Sequence, residues 1–545
     1  VNGVLAAETR AAAPTPAPAQ SSATPVAPNQ PAEAASQSPP FDLQELRVLG
    51  NSVLEARAIE QAVYPFLGSS RTLKDIEAAR AALEKLYHDR GYGTVFVDIP
   101  EQTVDAGIVR LKVTEGKLAG VHVTGARYFS GRQIRAAMPA AAPGVVPQLP
   151  SLQAEITRVN TVTPDRIVTP VLKAGTSPGT VDLTLRVDDH LPLHGSLEFN
   201  NDYTQDTSPL RAIAALSYDN LFGRFDSLSL QWQTAPHQRR QVNVLVGSYV
   251  ARVSDWRWAF YYLHSSSEVP TLTSGSAGGA LSSVLILGKG SVIGSRLIAP
   301  LPGTSMVTQN LSLGIEYKDF LQNVNSTSLD PNQPSSELTT PVRYANLSAG
   351  YAGFWRGTGR QASLDSSINF AVRGLGNTPP QFENKRFRAQ SNYFYWRSAA
   401  SLGATLPRNF TVLFKLAGQY AAEPLVSNEQ FAIAGSDGVR GYLEAEELAD
   451  TGIKTTLQLG SPVLNWLAGN LHSDGFVFYD FGRTGLLNPL SYEKANASLR
   501  SAGVGLNLAI FDHFSGALTW AYPLANGSVT RAHDSRVLFS VRSTW

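Results

Sequence analysis

No cysteine occurs in this chain of 545 residues, so disulfides and thiolate metal ligands are excluded at once. Charge is scarce as well. Asp, Glu, Lys and Arg make up 16% of the residues, against about 25% in an average soluble domain. The charges nearly cancel to +1, so no bulk field draws the protein to nucleic acid. No apolar run reaches the roughly 18 residues of a membrane helix. Low charge without long apolar runs leaves a mean hydropathy of −0.10 with 43% hydrophobic residues. A transmembrane β-barrel reconciles these facts, because each strand carries one apolar and one polar face and averages near neutral.

Catalytic chemistry is equally thin. "GTSPG" (175–179) matches G-x-S-x-G, but it lies between two strands rather than at a strand-to-helix turn, so it reads as a turn. "GKG" (288–290) lacks the spacing of a phosphate loop. The nine histidines show no ligand-spaced cluster, and His513 beside Asp512 reads as a strand-end polar pair. The expectation is no enzyme, no cofactor and no metal.

The chain starts on Val1, and "VNGVLAAETRAAA" reads either as a signal remnant or as the start of a mature chain. Residues 14–40, "PTPAPAQSSATPVAPNQPAEAASQSPP", are a Pro/Ala/Ser tract that cannot bury a core, so 1–40 is expected to be a short segment plus linker. Residues 41–116 read as an α/β module. "LQELRVLG" is a strand, Ser52 and Glu55 look like a capping box, and Ile59, Val63 and Phe66 follow at helical spacing. A second helix opens at Thr72 with Asp75 and stops at Gly91, with Leu73, Ile76, Leu83, Leu86 and Tyr87 on one face. "TVFVDIP" and "GIVRLKVTEG" close the module as strands, giving βααββ. Residues 117–190 repeat that order less cleanly, so two tandem modules are expected.

From 191 to 545 the period changes from helical to two. In "NLSLGIEYKDF", Leu311, Leu313, Ile315 and Tyr317 share one face while Ser312, Gly314, Glu316 and Lys318 share the other. "SLDSSINFAV", "GVGLNLAI", "GALTWAYP" and "VLFSVRSTW" alternate likewise, the last placing Phe539, Val541 and Trp545 together. A soluble β-sandwich or β-solenoid is the rival reading. Long segments with terminal aromatics favour the barrel. The roughly 355 residues available allow about sixteen strands of roughly 22 residues with their connections, where roughly 10 residues cross a membrane.

The densest motif is "GSDGVRGY" (435–442), an arginine among glycines. Asp480, forty residues after Arg440, lies in "FYDFG" (478–482). Two βααββ modules ahead of a barrel that carries these motifs resemble the Omp85 superfamily, and within it the TpsB transporters of two-partner secretion, of the haemolysin-secretion and filamentous-haemagglutinin-transporter type. The resemblance covers about residues 41–545. It implies two POTRA domains, 41–116 and 117–190, and a barrel whose long sixth external loop carries Val439, Arg440, Gly441 and Tyr442. Phe478, Asp480 and Gly482 match the F-x-D-x-G motif whose aspartate meets that arginine inside the barrel. Phe539, Val541 and Trp545 match the terminal signal read by the barrel assembly machinery.

The residues agree with that assignment. Phe476, Phe478, Asp480 and Gly482 share parity, and a lipid-facing aspartate would be expensive, so Asp480 should face the lumen. A sheltered carboxylate there wants a planar bidentate cation. A wet lumen would reduce the value of the pair. By resemblance, the chain would sit in the bacterial outer membrane with its POTRA domains in the periplasm. It would bind an unfolded haemagglutinin- or haemolysin-type exoprotein and export it without ATP, as a monomer in contact with outer-membrane lipid. An N-terminal helix plugs the pore in some relatives; residues 1–13 are short for that role. An Omp85-type insertase and a passive diffusion porin remain the alternatives.

Overall fold

The computed structural model describes residues 40–545 apart from 105, 206, 274–283, 305, 322, 327–335, 340 and 512. The N-terminal segment, with its possible plug, and the linker therefore lie outside the described residues except for Pro40. The chain divides into two compact units. One runs through His122 with Met138–Thr157 and Pro170–Thr184, and the other holds Val123–Ala137, Arg158–Thr169 and Leu185–Trp545.

In the first module, strand Glu45–Leu49 pairs parallel with Ile108–Glu115, which pairs antiparallel with Val95–Asp98. Helices Ala56–Val63 and Leu73–Asp89 cover this sheet. The longer helix opens on the Thr72–Asp75 capping box, both halves of which are made. Its buried stripe is Ile76, Ala79, Leu83 and Tyr87, and Leu73 is exposed. The Ser52–Glu55 capping box does not form. Ser52 turns away and hydrogen-bonds the Glu115 carboxylate through its hydroxyl and its N–H, while Asn51 accepts from Leu54 N–H at 3.0 Å. A long-range carboxylate outcompetes the local partner because it satisfies several donors at once. Strands Lys117–Thr124, Thr180–Asp189 and Arg166–Ala174 form a second three-stranded sheet in that order. Helices Gly131–Ala136 and Leu149–Asn160 come between its first and later strands. "GTSPG" forms a strand-to-strand turn, with Gly175 N–H donating to Thr180 O at 2.9 Å.

From Leu193 onward the strands close into one antiparallel barrel of sixteen. The twelfth strand is interrupted: Thr451–Gly460 and Leu464–Trp466 both pair along Leu471–Gly485. The last strand meets the first over five pairs, from Ser540 opposite Asn200 to Thr544 opposite Ser196. Connections at one end are tight, such as 222–225, 254–255 and 358–359, while those at the other run to 372–393 and 422–450.

Burial inverts the rule of a soluble core. Leu311, Leu313, Ile315 and Tyr317 are exposed, as are Trp258, Trp396 and Trp520, whereas Glu316, Lys318 and Asp480 are buried. The largest fully buried side chain is an arginine, Arg211. Such a wall is stable only where lipid covers the outward face and paired polar groups fill the inside.

Candidate functional site

The segment 422–450 joins the eleventh strand, Thr411–Ala421, to the twelfth. It is the sixth long connection at its end of the barrel, and it folds inward. Short bonds give its tip a fixed shape: Val439 N–H donates to Ile433 O at 2.7 Å, and Gly438 N–H donates to Gly435 O at 3.0 Å. This turn presents Arg440 to the wall.

Arg440 grips Asp480 bidentately. Nε donates to Oδ2 at 2.8 Å, Nη2 donates to Oδ1 at 3.0 Å, and the Arg440 backbone N–H adds a third bond at 3.1 Å. The remaining guanidinium nitrogen, Nη1, donates to Gln458 Oε1 at 3.2 Å. The guanidinium lies 3.5 Å from the centroid of the Phe478 ring, within cation–π range. Asp480 is fully buried, so the wet-lumen expectation does not hold at this point. Val439, Tyr442 and Phe478 are buried around the pair, which leaves Asp480 inaccessible and the Arg440 side chain only 12% exposed. Breaking one side of a sealed ion pair leaves an uncompensated buried charge, a cost of about 3–5 kcal/mol.

The neighbouring motif residues explain themselves by contact. Gly441 has φ +95, and a Cβ there would sit 3.2 Å from Pro523 Cγ and 3.3 Å from Ala521 Cβ. Both the backbone conformation and the close approach require glycine. Gly482 lies under the loop tip, where a Cβ would meet Val439 Cγ2 at 2.9 Å and Ile433 Cδ1 at 3.0 Å. Tyr442 is buried, with its hydroxyl 2.7 Å from Ala525 O and 2.9 Å from Arg500 O. Phe539 and Val541 share the outward face with Trp545, whose backbone exchanges two 3.0 Å hydrogen bonds with Gly195 at the seam.

Three partners escaped the sequence reading. Gln458 lies on the strand adjoining Asp480, and only strand register brings it to Arg440. Ile433 packs on Gly482 from within the same loop. Glu446 accepts from Val529 N–H at 2.9 Å, Thr530 N–H at 2.7 Å and Thr530 Oγ1 at 2.6 Å, tying the loop to residues 524–535. None of these carries a motif of its own.

Among the described residues, one group could present metal-ligand atoms together: Asp165, His194 and Asp219, within 4.8 Å of one another. His194 Nε2 already lies 3.1 Å from Asp165 Oδ1, so the set reads as a hydrogen-bonded pair with a second carboxylate nearby. His513 Nδ1 lies 3.1 Å from Thr544 O, while Asp512 falls outside the described residues.

Residues 179–508 match the family described as haemolysin secretion/activation protein ShlB/FhaC/HecB. Residues 41–116 match the POTRA domain of ShlB type. The outer membrane transporter CdiB of Dickeya dadantii is 26% identical over 495 residues, covering 88% of this chain and 82% of that protein. The heme/hemopexin transporter protein HuxB of Haemophilus influenzae is 22% identical over 507 residues, covering 89% and 84%. Among solved structures, CdiB from Escherichia coli superposes with a TM-score of 0.58 at 18% identity, covering 95% of this chain and 93% of that one. BamA from Haemophilus ducreyi lacking POTRA domains 1–3 gives 0.55 at 13% identity, covering 93% and 100%. These superpositions concern the fold.

Proposed function

The chain belongs to the haemolysin secretion/activation family of ShlB, FhaC and HecB, and from that premise we propose how it works. It is an outer-membrane transporter of the two-partner secretion kind, a barrel preceded by POTRA structure in the periplasm. An unfolded exoprotein reaches that periplasmic module first. Exposed strand edges there add an extended segment through main-chain hydrogen bonds. In the module 41–116 the outer strand Val95–Asp98 carries the exposed Phe96, and its outward backbone groups at Val95 and Val97 are held by His88, Arg80 and Glu84 of the longer helix, which a docking segment would displace. Residues 117–190 act as a second POTRA domain in this scheme.

The exoprotein then threads the barrel and folds outside, where folding supplies the direction that no periplasmic nucleotide provides. The cargo is of haemagglutinin or haemolysin type, the transporter works as a monomer, and its last strand is read by the barrel assembly machinery through Phe539, Val541 and Trp545. It makes and breaks no covalent bond. The Arg440–Asp480 pair anchors the tip of the sixth loop and keeps the barrel competent.

The observation that carries this reading is the sealed bidentate pair between an infolded loop and the wall of a closed sixteen-strand barrel. The test is secretion of large exoproteins into the medium, compared in cells with and without the chain. Export that requires the chain supports the reading. Loss of unrelated outer-membrane proteins with export intact would indicate an insertase. Solute permeation without export would indicate a porin.

A further inference from the structure

The sixth loop meets the wall at a second charged site, in a different sector of the barrel. A single 3-10 turn, Ser427–Glu429, aims Glu429 into the lumen, where it is 2% exposed. Three side chains from three strands converge on its carboxylate. Lys318 Nζ donates at 2.6 Å, Tyr395 Oη at 2.8 Å, and Tyr344 Oη completes the set. Lys318 also bridges to Glu316 at 3.2 Å. Glu316 in turn accepts from Tyr261 Oη at 2.6 Å and lies 3.5 Å from Arg296 Nη2. The Glu429 carbonyl oxygen accepts from Gln419 Nε2 at 3.0 Å and Arg397 Nη2 at 3.3 Å.

This arrangement has the form of a receptor for one loop residue. Two tyrosines and a lysine on the wall share a single carboxylate, and two anions, Glu316 and Glu429, sit among three cations, Lys318, Arg296 and Arg397. Removing Glu429 takes away one of the two anions that offset those buried cations. The node lies within its own apolar shell, which includes Phe320, Val342, Phe382, Leu425 and Val426. The shell around Arg440 is a separate cluster of Phe431, Ile433, Ala434, Val439, Tyr442 and Leu499. The two clusters share no member, and sites without shared partners respond independently to substitution.

We propose that Glu429 is a positioning residue, a second anchor of the sixth loop independent of the Arg440–Asp480 pair. It holds the first part of the loop across the lumen, and the conduit widens when this clamp releases. The widening rests on the transporter reading; the clamp itself does not.

The absence of cysteine from the sequence makes thiol labelling a clean probe of both anchors. Val426→Cys and Val439→Cys each place one thiol at a fully buried position, beside Glu429 and beside Arg440 respectively. Full-length protein in cells is treated with a membrane-impermeant maleimide. Glu429→Gln should raise labelling at 426 at least tenfold and leave 439 unchanged, while Arg440→Ala should do the reverse. Glu429→Asp should restore part of the protection. In planar bilayers, Glu429→Gln should raise single-channel conductance. If Glu429→Gln does not insert, the Tyr344→Phe/Tyr395→Phe double variant keeps the ring volume, removes both hydroxyl donors and must give the same pattern. Unchanged labelling at 426, or equal labelling at both sites, overturns the second anchor. Labelling at 426 with unchanged conductance overturns its role in widening. Labelling as expected in a chain that exports nothing leaves the anchor standing and removes the transporter reading instead.

Discussion

Arg386 holds Asp450 through both terminal nitrogens of its guanidinium, with Nη2 donating to Oδ2 at 2.8 Å, and Asp450 is fully buried. The same carboxylate accepts from Leu425 N–H at 2.9 Å and Leu487 N–H at 2.7 Å, and Arg386 Nη1 reaches Leu425 O at 2.7 Å. One ion pair therefore ties together the segments 372–393, 422–450 and 486–495.

Arg386→Ala should loosen all three segments at once. It strands a buried carboxylate, a cost of about 3–5 kcal/mol, and the two backbone donors that remain place it near the lower end. Extracellular protease should cut these segments in the inserted variant and leave the parent intact. Cutting confined to 372–393 would show that the pair does not link them.

Gly482→Ala should displace the loop tip without altering any charge. The added methyl would lie 2.9–3.0 Å from Val439 and Ile433, and overpacking of this kind costs about 1–3 kcal/mol. Export should fall several-fold while the amount of inserted barrel stays constant. Val439→Ala in the same chain removes the obstructing methyl groups and should recover part of the loss.

Much of this was legible in sequence and some was not, for physical reasons. The two-residue alternation at Leu311 to Tyr317 could be read because lipid and lumen impose opposite chemistry on alternate side chains. Arg440 and Asp480 stood out because glycines flank one and strand parity fixes the other. Glu429, Arg386 and Asp450 sit in segments without a period or motif, and their partners lie far off in the chain, as Lys318 does 111 residues from Glu429 and Arg386 does 64 residues from Asp450. Ser52 misled because a local capping pattern and a distant carboxylate compete for the same donors, and sequence shows only the local one.

Stability of the contact between the sixth loop and residues 201–210 should depend on pH. Glu444 donates its N–H to Tyr203 O at 3.0 Å, and its carboxyl shares the Ser436 hydroxyl with Asp202. Burial, then the Asp202 carboxylate, push Glu444 up to about 7 from an ordinary 4.5, and burial raises Asp202 as well, with Glu198 adding to the rise. Arg211, Arg536 and Lys454 act in the opposite sense on one or the other. A carboxyl whose folded pKa is raised holds its proton more tightly in the folded state. The contact is therefore strongest below about 4.5 and weakens as pH rises through about 7. Protease sensitivity of the loop should increase between pH 5 and pH 8, and Glu444→Gln should flatten that dependence.

The central claim is that the sixth loop works in transport only while its tip is fixed to the wall by Arg440 and Asp480. The direct test is export of the partner exoprotein by Arg440→Ala, Asp480→Ala and the double variant, each normalised to inserted barrel. Both single variants should lose most of their export, and the double variant should lose little more than either, because the same ion pair is removed in all three. Normal export from inserted Arg440→Ala and Asp480→Ala barrels would contradict the account.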